Sequence, residues 1–336
     1  MNKSITVNFG RYLQDFLTEY LPLEKNASQN TISSYRDTFK LLLVFMSTNR
    51  GIKPTQVSMS DITKENLISF LQWLEDERKC SIRTRNQRLA AIRSFLSYTQ
   101  YHMPDCLFEI QKIQSMPSKK AVHREICYLT PENLKILLSQ PDNTSTKGLR
   151  DCMILTLMYD GGLRVQELVE LKWEDLRLSK TPYTVCVVGK GKKRRTIPLS
   201  DLTGNLLKSY KEKACLTKNV FVNPQGQQLT RKGVTYVLDK YVGQAQKVPD
   251  FYHSDKITCH VLRHTKATHM LQAGIPLIYI RDFLGHNSVV TTEIYARIND
   301  ATKFEAISKL NACTTESHGM HDWNEDTELM KWLSSL

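Results

Sequence analysis

The sequence holds no run of about 18 apolar residues, so nothing in it reads as a membrane-spanning helix. Its first residues, Met1 to Thr6, lack the apolar stretch of a secretion signal, which points to a cytoplasmic protein. Eight cysteines stand singly at 80, 106, 127, 152, 186, 215, 259 and 313. None forms a CxxC pair, which argues against a zinc site or a disulfide framework and fits a reducing compartment. The histidines also lack the partner a zinc protease needs, because HVLRH (260–264) has no central Glu. No metal and no cofactor are therefore expected. Repeats and long low-complexity segments are missing as well. With 336 residues, 41% of them hydrophobic, the chain can build about two cores and is not a disordered one.

Acidic residues are also in short supply: 34 against 46 Lys and Arg, a net of +12. Such a balance favours a polyanionic partner, since each neutralised phosphate releases condensed counterions. The imbalance is uneven. From Thr314 to Leu336 five acids face one base, which leaves +16 on the preceding 313 residues.

The first part of the chain reads as helices. Phe39, Leu42, Leu43 and Met46 share one helical face. Asp61 stands as an N-cap ahead of Leu67, Phe70, Leu71 and Leu74. From Lys79 to Thr99 there are five bases and no acid. Arg83, Arg85, Arg88 and Arg93 interleave there with an apolar stripe, which suits either a solvated face or a phosphate-contacting helix. The expected organisation is a helical domain over 1–112, a polar and basic linker over 113–127, a second domain over 128–311, and an acidic tail over 312–336. In the second domain Thr130 caps a helix with Pro131 at its first position. Two strand-like runs, 183–188 and 194–199, flank a basic turn that holds Lys190, Lys192, Lys193 and Arg194. In the tail, Leu329, Trp332, Leu333 and Leu336 form an amphipathic helical stripe. The fold class is therefore mainly α with a small β-hairpin or sheet in the second domain.

Four patches carry the candidate chemistry. In GLRVQEL (162–168), Glu167 lies three residues after Arg164 and can orient it. In GKGKKRR (189–195), glycines let a lysine project from a tight turn, where an ammonium can bind phosphate or protonate a leaving alkoxide. In HVLRHTKATH (260–269), His260 and Arg263 share a helix face, an imidazole beside a bidentate guanidinium. In LGHNSVVTTEIY (284–295), His286 precedes Tyr295, whose phenol needs nearby cations to become a nucleophile. Arginine, lysine and histidine around a tyrosine suit metal-free phosphoryl transfer on DNA.

Together these four motifs, in this order and spacing, resemble the boxes of the tyrosine recombinases, the phage-integrase and Xer-like family. The resemblance covers about residues 28–310. It implies a helical core-binding domain that clamps DNA, followed by an α+β catalytic domain. It also implies that Tyr295 is the nucleophile forming a 3′-phosphotyrosine, that Arg164 and Arg263 hold the non-bridging phosphate oxygens, and that Lys190 is the general acid. His260 would assist proton transfer, His286 would hydrogen-bond the phosphate, and Glu167 would support the site from behind. The implied partners are double-stranded DNA with paired core sites and three further copies of the chain in a tetrameric synapse, with C-terminal helices exchanged between copies. The implied function is site-specific recombination, by integration or transposition, through a Holliday junction. A nicking-resealing topoisomerase of type IB and a catalytically silent DNA-binding protein are the alternatives. Two positions depart from the family pattern: Gly161 stands where Thr is frequent, and Cys259 where Pro often precedes the histidine.

Overall fold

The computed structural model describes residues 9–121, 126–189, 193–214, 217–253 and 255–286, together with Ser288, Thr292 and Tyr295. The tail over 312–336, Lys190 and Lys192 lie outside the described residues. The chain divides into two compact units, Met1–His123 and Arg124–Leu336. Among the described residues no helix is long and apolar enough to cross a membrane.

The first unit is all helical. Helix α1 (Phe9–Asp15) runs on into a wider π-helical stretch, Phe16–Glu24. Helices α2 (Gln29–Arg50), α3 (Lys64–Asp76), α4 (Ile82–Thr99) and α5 (Leu107–Gln114) follow. Local chemistry sets their starts. The side chains of Ser28, Thr63 and Ser81 accept from the amides of Thr31, Asn66 and Thr84, satisfying donors that a helix leaves orphaned. Asp61 does not cap α3 as expected. Its carboxylate instead accepts from Ser58 N at 2.8 Å, which closes a short 3₁₀ turn, and Thr63 takes the cap. The interior is aromatic. Phe95 meets Phe9, Phe16 and Phe39 at centroid separations of 5.1–5.5 Å, all edge-on, the arrangement that ring quadrupoles favour.

The division between the units falls inside the expected linker. That linker's first residues, however, belong to the first unit: α5 runs to Gln114, and Ile113 and Met116 are buried in its core.

The second unit opens with α6 (Pro131–Leu138), capped by Thr130 as expected, and α7 (Thr146–Asp160). Then come α8 (Val165–Val169), β1 (Leu176–Arg177), β2 (Thr184–Val188), β3 (Arg194–Pro198), α9 (Asp201–Lys213), α10 (Arg231–Ala245), α11 (Cys259–Gln272) and α12 (Leu277–Leu284). The strands form one antiparallel sheet in the order β1-β2-β3, with Val185 opposite Ile197, both fully buried. The two-residue β1 was not foreseen, since it is too short to show alternation. Helix α7 is buried on most of its circumference and centres the core. A smaller apolar cluster joins Ala267 of α11 to Ile280 and Leu284 of α12 and to Tyr295.

Candidate active site

The site is organised around the end of α12. A helix leaves its last carbonyls without intrahelical partners, and its dipole makes that end a weak cation site. Here three successive carbonyls receive three guanidiniums from three different elements. Phe283 O accepts from Arg195 Nε at 3.1 Å, Leu284 O accepts from Arg263, and Gly285 O accepts from Arg164 at 2.9 Å. Gly285 makes this possible by turning the chain with φ +64°, a conformation glycine adopts without steric cost. Gly162, at φ +55°, does the same after α7. Its carbonyl accepts a second bond from Arg263, and a Cβ there would stand 3.0 Å from Leu284 Cδ2.

Glu167 is the single carboxylate bound into this arginine cluster among the described residues. Its Oε1 accepts from Arg164 and Arg195, each at 2.8 Å. Its Oε2 accepts from the Arg164 amide at 2.8 Å and from Arg195 at 2.7 Å. Burial alone would raise the pKa of Glu167. The Arg195 hydrogen bond, the Arg164 amide and the Arg195 charge outweigh it and bring the value down to about 2. Arg263 is 1% exposed, and its pKa lies below the ordinary arginine value through desolvation and then the neighbouring Arg164 charge. Three cations share one carboxylate, so the cluster carries two positive charges in excess.

The histidines line the same region and are held neutral. His260 shows an edge to solvent. Desolvation, then Arg263 and Arg164, lower its pKa below the ordinary histidine value. His264 falls to about 4 through desolvation and then the neighbouring His260 and Arg263. His286 falls to about 3 through desolvation and then Arg263 and Arg164, and its Nδ1 lies 3.0 Å from Thr292 Oγ1. His269, in the same box, serves packing: its ring nitrogens lie against Tyr159 Oη (3.1 Å) and Leu129 O (3.0 Å).

Tyr295 is 1% exposed, and desolvation pushes its pKa up to about 12 against the opposing pull of Arg263. Its hydroxyl shares a 2.7 Å hydrogen bond with Nδ1 of His264, not with His260. The rings of His260 and His264 meet edge-on, with centroids 4.3 Å apart. Sequence reasoning passed over His264 and Arg195. The signal for His264 was present, since it follows His260 by four residues on one helix. The partnership of Arg195 with Glu167 spans 28 positions and has no local signature.

The four arginines of α4 divide. Arg83 is exposed. Arg85 is buried against Glu75 at 3.4 Å. Arg88 donates to Ser34 O at 2.7 Å and Thr38 Oγ1 at 3.0 Å, and Arg93 to Ile113 O at 3.4 Å. These three tie α4 to α3, α2 and α5, which is a packing role. Lys193 and Arg194 are exposed beside the turn.

Two family models match the chain in succession: the phage integrase N-terminal SAM-like domain over residues 13–100 and the phage integrase family over 127–302. A putative integrase/recombinase, y4rC of Sinorhizobium fredii, is 34% identical over 326 residues, covering 96% of this chain and 97% of its own length. Tyrosine recombinase XerD of Listeria innocua is 32% identical over 300 residues, covering 85% of this chain and 93% of its own. Among solved structures, the XerH site-specific recombinase bound to palindromic difH substrate superposes with a TM-score of 0.68 at 22% identity, over 89% of this chain and 94% of that one. The lambda integrase (75–356) dimer bound to a COC′ core site gives 0.64 at 17%, over 86% and 95%. These superpositions show the shared two-domain fold. The chain belongs to the phage integrase family and is a tyrosine recombinase.

Proposed function

We propose that this recombinase cleaves and rejoins paired double-stranded DNA sites without a metal ion. Tyr295 Oη attacks the scissile phosphorus, the bond to the 5′ oxygen breaks, and the 3′ phosphate stays on the tyrosine. Lys190 gives the departing oxygen its proton, and the phenolic proton leaves through His264, which shares a hydrogen bond with Tyr295 Oη, toward the adjoining His260. Arg164 and Arg263 hold the non-bridging oxygens, His286 donates to the phosphate, and Glu167 fixes Arg164. The phosphotyrosine conserves the bond energy, so a 5′-hydroxyl from a partner strand reverses the attack. Two rounds, in a ring of four protomers, pass through a Holliday junction. Arg83, Lys193 and Arg194 are open to solvent and suit contacts to the DNA backbone, with Lys192 in the same turn. The site of action is the cytoplasm, where the DNA substrate lies.

One observation carries this reading: three guanidiniums gathered at residues 283–285 around one carboxylate. Two uncompensated positive charges match the doubly negative phosphorane of a phosphoryl transfer, which places the stabilisation where charge develops.

The test is strand exchange between two differently labelled duplexes that carry a site selected from a random-sequence pool, in excess EDTA. Recombinant duplexes bearing both labels are expected. Nicking and resealing without exchange would indicate a topoisomerase-like enzyme, and binding without cleavage a silent DNA-binding protein. Activity lost in EDTA and restored by Mg²⁺ would overturn the metal-free mechanism.

A further inference from the structure

Arg195 comes from β3, outside the helices that carry the other cluster members. Its side chain is 12% exposed, and each of its three nitrogens donates a hydrogen bond. NH1 and NH2 form a fork on the two oxygens of Glu167, and Nε donates to Phe283 O. The space around it is fitted: a Cβ on Gly285 would stand 3.0 Å from its Cδ and NH1, and one on Gly189 would stand 3.4 Å from NH1.

Glu167 accepts four hydrogen bonds, two from Arg195 and two from Arg164. Arg164 has the looser side chain, 34% exposed against 5% for Glu167. If Arg195 were absent, a buried carboxylate would be left with one guanidinium as its counterion. It would draw Arg164 into a full ion pair and take from the phosphate the charge that Arg164 supplies.

We infer that Arg195 is a positioning residue for cleavage: by neutralising Glu167 and anchoring it to the end of α12, it leaves the charge of Arg164 available to the scissile phosphate. The inference rests on the reading above that Arg164 binds that phosphate. Arg195 itself does not touch DNA. Lysine in its place keeps the charge but loses the planar fork.

The experiment measures single-turnover cleavage by wild type, Arg195→Lys and Arg195→Met on two nicked duplexes of the selected site. One carries the natural scissile phosphate. The other carries a methylphosphonate, which has one negative charge fewer. Binding is measured in parallel by gel shift, and folding by thermal unfolding. The expected result is binding within about threefold of wild type and a cleavage loss of roughly 10–100-fold on the natural phosphate, as for residues that orient metal ligands from behind. Arg195→Lys should lose less than Arg195→Met. On the methylphosphonate the gap to wild type should shrink to a few-fold, because the charge of Arg164 is needed less there. An equal deficit of a folded Arg195→Lys on both substrates would overturn the inference, and so would cleavage within about threefold of wild type on the natural phosphate. Arg164→Met on the same two duplexes checks the underlying reading separately: its loss should also shrink on the methylphosphonate, and an equal loss on both would overturn the role of Arg164 rather than that of Arg195.

Discussion

At the scale of the residue, burial and then the neighbouring charges favour the neutral form of the site's histidines. His264 and His286 titrate at about 4 and about 3, against 6.5 for an ordinary histidine. A basic group with a depressed folded pKa favours folding in its neutral form. Its contribution is complete above the unfolded value and is lost as pH falls from 6.5 toward the folded value. The unfolded chain then binds more protons, so stability rises with pH across that window, by at most about 1.4 kcal/mol per pH unit for each histidine. Glu167 acts in a lower window: its depressed pKa stabilises above about 4.5 and is lost as pH falls toward 2. Urea unfolding at pH 7 and pH 5 should therefore show a clear loss at pH 5, and His264→Gln should reduce that loss. An unchanged pH slope in the variant would contradict the neutral pairing of His264 with Tyr295. Much of this was visible in the sequence. Arg164 with Glu167, and His260 with Arg263, are helix neighbours whose spacing declares them. His264 was quoted in its motif without a role, because spacing alone does not say which imidazole meets the phenol.

At the scale of the element, the turn after α12 is the structure's organising feature. The pair Gly161-Gly162 was legible as preceding a helix with Arg164 early in it, whereas Gly285 was given no backbone role in its motif. What these glycines serve was not legible. The carbonyls of Gly162 and of residues 283–285 hold guanidiniums that arrive from 21 to 121 positions away, and no periodicity records such contacts. Helices α2, α3 and α4 followed from apolar spacing, and α6 from its Thr130 cap and Pro131 at the first position. The cap of α3 did not, because Asp61 and Thr63 are both competent and only the 3₁₀ turn decides between them. Gly285→Ala should cost about 1 kcal/mol for its left-handed backbone. Its methyl would also press on Arg195, 3.0 Å away, so cleavage should fall further than the stability loss accounts for. Thermal unfolding and single-turnover cleavage measured together check this, and wild-type cleavage by a destabilised variant would refute the link.

At the scale of the whole molecule, the chain sets a basic body of net +16 against a tail of net −4. The body's excess charge supports DNA binding. The tail's sign and its stripe of Leu329, Trp332, Leu333 and Leu336 favour a protein surface instead. Truncation after Asn311 is therefore expected to leave single-site binding intact and to weaken synapsis and recombination. Native gel analysis of synaptic complexes checks this, and full-rate recombination by the truncated chain would exclude a role in assembly. The central claim is that Tyr295 carries the DNA, and the most direct test traps the covalent intermediate. Wild type and Tyr295→Phe are incubated with a nicked duplex of the selected site, and any protein–DNA adduct is digested and its linked peptide identified. The account predicts a wild-type adduct on the peptide containing Tyr295, and for the variant near-normal binding with no adduct. An adduct formed by Tyr295→Phe at the wild-type level, or a wild-type adduct mapped to another tyrosine such as Tyr279, would contradict it.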